Sequence, residues 1–563
     1  MNGLLDLPVE IILAILDRVP EDSLLPLSLT CHSLNYLSTS ALLERCGIED
    51  PTKCTFDLYP TEGQADALSA LQTGLHIQRI KFLRCNLHPS TYYPKWGWPA
   101  AKPVRRLCRL MLRLTSIDEV VLSFNIRGMM APRDMDLESG VIILQNLLNA
   151  VITKCKILRI MNAGPFFGEI YIFNPMDSGS SVLDSGSSVT QGLRRSDHRN
   201  DSPDWQYKRN VSKGTRPLLT CPPAALEQIA LNKIEIDALS LFTPPCSNWT
   251  FTVLKQSRIT SLTVNLTWPT SKYTQAERSL IFSRLAESLQ ASLKFLFLKR
   301  VTHLLDALGF IAQLPILELL GVLPWTWQAS VDESSTITSF PLVLSMETIS
   351  APADLVFYMF SRSLIVPRLR TIFLAFQIKK IEGLFDITTT ATSIARLRES
   401  VGHNVKLLVL FHFVGVPSIE ESLCDGVQPI CPIWEQEFSR FITLSLNGTT
   451  ALLDSPNTFR VILGVLTLFS KLEELRIELK TSYQAVPSFI NLETWMVEAI
   501  LDRSPNVTSI SCNGTAQIIT PRQSTLERVP IMSFRANLNK RMPNHRPAGH
   551  EGEFGRARRV LWR

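Results

Sequence analysis

An apolar pattern of the form LxxLxL, with other apolar residues allowed at its three fixed positions, recurs along most of this 563-residue chain. Because 45% of the residues are hydrophobic, a single match arises by chance about one time in eleven and means little. The spacing is more informative: most steps between matches are about 31 to 40 residues, enough for one strand, one helix and their loops. The matches begin at Ile77, Ile117, Cys155, Leu226, Ile259, Leu293, Leu314, Leu369, Val405, Phe441, Leu472 and Val507. This rhythm predicts an α/β chain of stacked strand-helix units.

Helical patterns fill several intervals between these strands. They cover residues 277–293, 459–469 and 495–501, and each leads through a short polar or proline-containing turn into the next strand. Helix, turn and LxxLxL strand in this order resemble an irregular leucine-rich-repeat region. The asparagine that normally follows the strand has a counterpart only in Asn125, so the resemblance implies a loosely curved solenoid. A compact α/β domain with accidental periodicity is the alternative.

The first forty or so residues carry a second, denser signal. Pro8 suits the first position of a helix, and Glu10 places a carboxylate in the first turn, against the positive end of the helix dipole. An apolar stripe follows at helical spacing and ends at Pro20. Its members are Ile11, Ile12, Ile15, Leu16 and Val19, and two further short helices are predicted by Leu24, Leu25 and Leu27 and by Cys31, Leu34 and Leu37. Three helices this short cannot bury all these side chains, which predicts a surface for a partner.

These residues resemble an F-box. The residues that carry the resemblance are Leu7-Pro8-Val9-Glu10-Ile11, Ile15-Leu16, Pro20-Glu21-Asp22, Leu24 to Leu29 and Thr30-Cys31-His32. The family, with an irregular leucine-rich-repeat-like region behind it as in many fungal proteins, implies a small three-helix module that docks on the Skp adaptor of a cullin-based ubiquitin ligase. The implied contact residues are Leu7, Pro8, Glu10, Ile11, Ile15, Leu16, Leu24, Leu27, Leu29 and Cys31. An ordinary helical cap on a larger domain is the alternative.

Composition and charge predict the remaining layout. The predicted segments are an F-box over 1–47, a first part of the repeat-like body over 48–172, a disordered insertion over 173–216, a second part of the body over 217–520, and a basic, disordered tail over 521–563. The net charge of +6 is concentrated in the insertion and the tail, and the rest of the chain is close to neutral. The charge therefore argues against nucleic acid as a partner.

The insertion contains a direct repeat of the letters DSGSSV, starting at Asp177 and at Asp184. It resembles a phosphodegron, but each copy ends in valine where that motif needs a second serine. Local duplication in a flexible loop is the favoured interpretation, with phosphorylation of the serines as the alternative.

Several classes of protein are disfavoured by the sequence. No apolar run approaches the roughly 20 residues of a membrane helix, and the N-terminus lacks a secretory signal, which predicts a cytosolic or nuclear protein. Eleven cysteines without a Cys-x-x-Cys pair fit reduced thiols. Phosphate-loop, nucleophile-turn and zinc-helix motifs are missing, so no catalytic residue, metal or cofactor is predicted.

Isolated chemical groups do not change this interpretation. His403 and His412, like Cys424 and Cys431, lack further ligands nearby. Two dense aromatic turns lie elsewhere in the chain, around Trp96 and Trp98 and around Trp325 and Trp327. Packing of these turns onto the body is favoured over partner contact.

The sequence thus predicts a non-catalytic adaptor, with an F-box for the Skp adaptor, and through it a cullin, and a repeat body for an unknown protein substrate. No nucleic-acid or membrane partner is expected. A Skp-bound scaffold without a role in degradation is one alternative, and an enzyme hidden in the α/β body is another.

Overall fold

The structure is a computed structural model, and it divides into two units, Met1–Gln517 and Ile518–Arg563, of which the first is considered below. The residues it describes are 7–58, 66–87, 101–124, 137–162, 171–173, 205–207, 218–237, 239–266, 274–301, 303–322, 343–362, 364–378, 387–402, 404–413, 436–449, 456–480, 492–513 and 515–518.

Three short helices open the described chain, as predicted: α1 (Val9–Arg18), α2 (Glu21–Ser28) and α3 (His32–Arg45). Pro8 and Pro20 immediately precede α1 and α2, where a proline costs no backbone hydrogen bond. The core of the module includes Ile12, Leu16, Leu24, Leu34, Leu42 and Leu43. Pro26, in the last turn of α2, does not interrupt that helix.

Strands and helices then alternate along the body. The strands are β1 (Lys53–Asp57), β2 (Arg79–Asn86), β3 (Ser116–Ser123), β4 (Cys155–Met161), β5 (Tyr171–Phe173), β6 (Trp205–Tyr207), β7 (Lys233–Ile236), β8 (Ser261–Asn265), β9 (Phe295–Lys299), β10 (Leu319–Val322), β11 (Thr348–Pro352), β12 (Thr371–Ile378), β13 (Lys406–Phe413), β14 (Thr443–Thr449), β15 (Glu474–Lys480), β16 (Ser509–Cys512) and β17 (Thr515–Ile518).

The helices between them are α4 (Ala67–Thr73), α5 (Ala101–Arg113), α6 (Leu137–Ile152), α7 (Pro223–Leu226), α8 (Ser247–Gln256), α9 (Gln275–Leu289), α10 (Leu304–Ile311), α11 (Ala353–Ser361), α12 (Ile387–Val401), α13 (Pro456–Leu466) and α14 (Thr494–Arg503), with a 3₁₀ turn at Leu239–Phe242. The start of α9 is fixed by a capping box in which Thr274 and Glu277 satisfy each other's backbone N–H.

One long sheet organises the body. Strands β1 to β4 and β7 to β17 form this sheet and follow one another in chain order. Strands β5 and β6 form a separate antiparallel pair. Each pairing between β1 and β16 is parallel. Parallel neighbours in chain order, joined through helices, are the topology of a strand-helix solenoid. The predicted fold class, an α/β solenoid of strand-helix units behind a small N-terminal module of three helices, is therefore confirmed.

The core of the body is built from rows of buried strand residues in register. One row passes through Cys54, Leu83, Val120, Leu158, Ile234, Leu262, Leu296, Leu320, Ile349, Ile372 and Leu407. It ends at β13, because β14 pairs with β13 only from Val409 onwards. The row two residues further along then continues from Val409 through Leu444, Leu475 and Ile510. The register of the solenoid shifts at this point.

Several predicted strands need correction. The pattern starting at Leu226 falls at the end of α7, and the strand begins only at Lys233. The patterns starting at Ile77 and Leu314 begin three residues before the buried residues of their strands that have the same spacing. The pattern starting at Val405 predicts that Leu408 and Leu410 are in the core, whereas Leu407 and Val409 are the buried residues. Five strands have no counterpart among the predicted patterns, namely β1, β5, β6, β11 and β17.

One short strand lies within a segment for which disorder was predicted. Trp205–Tyr207 lies inside the segment 173–216 that was predicted to be disordered, yet it pairs with Tyr171–Phe173. Several predicted features lie outside the described residues: the DSGSSV repeat, the whole tail from 521 to 563, both tryptophan turns, His403 and the two cysteines at 424 and 431.

Candidate docking surface of the N-terminal module

Helix α1 is apolar over much more of its circumference than the module can bury. Ile12 and Leu16, one turn apart, point into the core and are 4% and 2% exposed. On one side of this buried seam lie Ile11 and Ile15, which remain 48% and 39% exposed. On the other side lie Val9 and Leu13, at 54% and 44%. A helix with exposed aliphatic ridges on both sides of its buried seam is typical of a protein-binding surface.

The ten predicted contact residues do not all lie on this surface. Six are exposed, namely Leu7, Pro8, Glu10, Ile11, Ile15 and Leu29, and two are half-buried, namely Leu27 and Cys31. Leu16 and Leu24 are 2% and 0% exposed. These two belong to the core instead, because each occupies the inward side of its helix, and a partner cannot reach them in this conformation.

Val9 and Leu13 were missed by the sequence analysis. The predicted stripe was counted from Ile11 along one side of the helix, whereas Val9 and Leu13 are four residues apart on the other side. Counting apolar residues around the full circumference of α1 would have included them.

Arg45, on the last turn of α3, holds the C-terminal end of α1. Its guanidinium donates hydrogen bonds to the carbonyl oxygens of Val19 (2.7 Å), Leu16 (2.8 Å) and Asp17 (2.8 Å). The last carbonyls of a helix have no partner within the helix, so a cation at this position satisfies them and also matches the helix dipole. The apolar ridges of α1 are thereby held in a fixed orientation.

Asn35 joins the module to the body. Its amide nitrogen donates to the carbonyls of Ser28 (2.9 Å) and Thr73 (3.0 Å), and its amide oxygen accepts from the backbone N–H of Leu75 (3.0 Å). The side chain is almost fully buried. Through it, α3 is connected both to the end of α2 and to the end of α4, the first helix of the body.

The thiol of Cys46, which directly follows α3, is not activated. Burial, followed by the charges of Glu21 and Asp66, raises the pKa of Cys46 to about 11. Because the thiolate is the nucleophile, Cys46 remains a protonated, unreactive thiol at neutral pH.

A domain comparison identifies the module. The F-box domain family matches residues 4–45, a range that contains all three helices. Residues 4–45 are an F-box domain.

The comparisons add little for the rest of the chain. No curated protein matches the sequence. Among solved structures, the chain resembles the leucine-rich-repeat-containing protein LegL7 from Legionella pneumophila at 12% identity, with 87% of this chain and 99% of that chain covered and a TM-score of 0.24. It also resembles a chain of the yeast Rad7 and Elc1 complex at 10% identity, with coverage of 93% and 97% and a TM-score of 0.24. Such TM-scores are too low to support an argument, so the fold assignment of the body depends on its strand order.

The strand face that points away from the buried rows is the second surface of interest. Towards its N-terminal end it carries a charged cluster, in which Arg159 contacts Glu119 (2.7 Å) and Glu235 (3.5 Å) and Lys299 contacts Glu235. Two cations and two carboxylates balance each other there. Further along, Phe295 is exposed and Phe297, Phe373, Leu408 and Leu410 are half-buried. These apolar side chains thus lie between the charged cluster and the ion pair of Glu474 and Arg476 on β15.

The described residues offer neither a metal site nor a membrane-spanning helix. Among them, no three His, Cys, Asp or Glu side chains are grouped so that they could hold a metal ion. Within the same residues, no helix is both long and apolar enough to cross a membrane.

Proposed function

We propose that this protein is a substrate-recognition adaptor of a Skp/cullin/F-box ubiquitin ligase and that it has no catalytic role of its own. The observation that supports the proposal is the exposure of four aliphatic residues, Val9, Ile11, Leu13 and Ile15, on the first helix of an F-box domain. Helix-in-groove docking uses apolar anchors at this spacing. The Skp adaptor would cover these ridges and connect the chain to a cullin.

The body supplies the second binding surface of this proposal. We place the substrate on the strand face of the solenoid, where the apolar residues between Phe295 and Leu410 leave surface for a protein ligand. An adaptor that holds both partners raises the effective concentration of a substrate lysine near the conjugating enzyme. We further propose that the complex acts in the cytosol or the nucleus.

The test of docking is capture of the Skp adaptor by the full chain and by Ile11→Asp/Ile15→Asp. Two carboxylates on the proposed interface should reduce binding at least about a hundredfold, because each would be buried without a partner. The matched control is Ile365→Asp/Ile442→Asp, since these residues are exposed to a similar extent, 45% and 44%, on the repeat body. Equal capture by both double variants would refute the proposed interface.

A second measurement separates the adaptor from a scaffold. The captured complex is combined with cullin, RING subunit, conjugating enzyme and ubiquitin, and proteins bound to the repeat body are examined for ubiquitin. Modification that depends on Ile11 and Ile15 supports the adaptor. Binding without modification of any bound protein identifies a scaffold instead.

A further inference from the structure

The net charge of the repeat body is close to zero, but one part of the body carries a local concentration of positive charge. Between Ala67 and Ile117 the sequence contains nine basic residues and no acidic residue. Five of the nine lie on one helix, α5, whose sequence is AKPVRRLCRLMLR. The acidic residues that compensate this charge lie elsewhere in the chain.

Two of the five cations on α5 have structural partners. Arg106 forms an ion pair with Asp66 at 2.7 Å. Arg113 donates to the carbonyl oxygens of Gly74 (2.8 Å) and Leu71 (2.5 Å). Both contacts hold α5 against α4 and its flanking turns, so the fold explains these two arginines.

The other three cations, Lys102, Arg105 and Arg109, are exposed. Spacings of three and four residues place them on one face of α5, over about 10 Å of helix axis. In the described part of the chain, none of the three forms an ion pair. Like charges at these spacings destabilise a helix, so this face is not explained by folding.

Exposed apolar side chains border the same face. Leu112 is 61% exposed and lies three residues after Arg109 and seven after Arg105, which puts it on the cationic side of α5. Helix α6 packs beside α5, with the Cys108 Sγ 3.6 Å from the carbonyl oxygen of Asn146. Ile142, one turn before Asn146, is 50% exposed. Cations and aliphatic side chains therefore share one surface.

We propose that this surface, formed by Lys102, Arg105, Arg109, Leu112 and Ile142, binds an acidic amphipathic segment of a partner protein. Carboxylates of the segment would pair with the three cations, and its aliphatic side chains would cover Leu112 and Ile142. A nucleic acid fits less well, because its phosphate backbone offers nothing to the aliphatic residues. Neither α5 nor α6 contains an aromatic residue on which bases could stack. The proposal concerns the repeat body alone and does not rest on the ligase function.

The test is fluorescence anisotropy with the full chain and a labelled peptide made of alternating Glu-Glu and Leu-Leu pairs. Wild type should bind it, more weakly as salt is added. Lys102→Glu/Arg105→Glu/Arg109→Glu should bind at least about tenfold more weakly, because three attractive contacts become repulsive. The matched control, Arg396→Glu/Lys406→Glu/Lys471→Glu, changes the net charge equally at three exposed cations elsewhere and should bind like wild type.

Further probes decide between ligand classes. A peptide with serine in place of leucine should bind more weakly, and labelled polythymidine and phosphatidylserine vesicles should bind more weakly than the original peptide. The proposal would be overturned if both triple variants lost peptide affinity equally, or if the wild type did not bind the peptide. Tighter binding of polythymidine or of the vesicles than of the peptide would also overturn it. Should the charge reversals unfold the chain, Lys102→Gln/Arg105→Gln/Arg109→Gln replaces them, because glutamine favours helix and leaves no charge.

Discussion

Asn35 is the residue on which the connection between the F-box and the body depends most directly. Its three hydrogen bonds reach the backbone of α2 and both sides of the turn after α4. Asn35→Ala leaves two carbonyls and one N–H without this partner, so we expect a loss of about 2 to 4 kcal/mol in the free energy of unfolding. Urea unfolding measures this loss. Asn146→Ala, at an exposed position on α6, is the control, and equal stabilities would contradict the assigned role.

Buried thiols make a prediction about alkaline pH. Burial raises the pKa of Cys54 and Cys155 from 9.0 to about 12. The folded chain therefore holds these protons more tightly than the unfolded chain, and the stabilisation is complete below pH 9 and lost between pH 9 and 12. We expect the urea midpoint to fall as the pH rises above 9. Because lysine and tyrosine also titrate there, the comparison is with Cys54→Ala/Cys155→Ala, whose midpoint should fall less steeply.

At the scale of the element, α1 depends on Arg45 for its orientation. Arg45→Met keeps the length of the side chain but removes three hydrogen bonds to the end of α1. We expect faster amide exchange in α1 and about tenfold weaker capture of the Skp adaptor, although Arg45 is not on the aliphatic ridges. Arg18→Met, an exposed cation in the last turn of α1, should change neither. Weaker capture without faster exchange would indicate that Arg45 touches the adaptor itself.

The packing of neighbouring strands predicts an unusual requirement for glycine. A Cβ atom at Gly321 on β10 would collide with the ring of Phe297 on β9. We expect Gly321→Ala to cost about 1 to 3 kcal/mol in the free energy of unfolding, the usual penalty for overpacking. Gly321→Ala/Phe297→Leu should restore most of this loss, because leucine lacks the ring. Additive losses in the double variant would show that the ring is not the cause.

The same elements show how far sequence reasoning could go. The strands starting near Ile117, Cys155, Ile259 and Leu472 were predicted at their positions, because the three apolar residues of each chosen LxxLxL match are buried in the structure. Near β7, Leu231, Ile234 and Ile236 repeat the spacing of Leu226, Ile229 and Leu231. The pattern overlaps itself there, and only burial in three dimensions selects the correct copy. Strand β1 was missed because Pro51 stands three residues before its inward pair, Cys54 and Phe56, where the pattern needs an apolar residue.

The docking surface was predicted less completely than the fold. The predicted contact residues include Ile11 and Ile15, which are exposed, but also Leu16 and Leu24, which lie in the core of the module. Which side of an apolar helix faces inward depends on how the other helices pack against it. Arg45 and Asn35 gave no sequence signal, because their partners are backbone groups distant in the chain.

For the whole molecule, the parallel chain-order sheet implies that each unit is stabilised mainly by its neighbours. A defect at one end should therefore remain local. Leu475 on β15 is fully buried and pairs with Leu444 and Ile510. Leu475→Ala should cost about 2 to 5 kcal/mol in its own region. We expect faster amide exchange from β14 to β16 and unchanged exchange in α1 to α3. The Skp adaptor should still be captured, because the F-box lies at the other end of the stack of units. Faster exchange throughout the chain, including α1 to α3, would mean that the molecule unfolds as one cooperative unit, and the solenoid description of its stability would then be wrong.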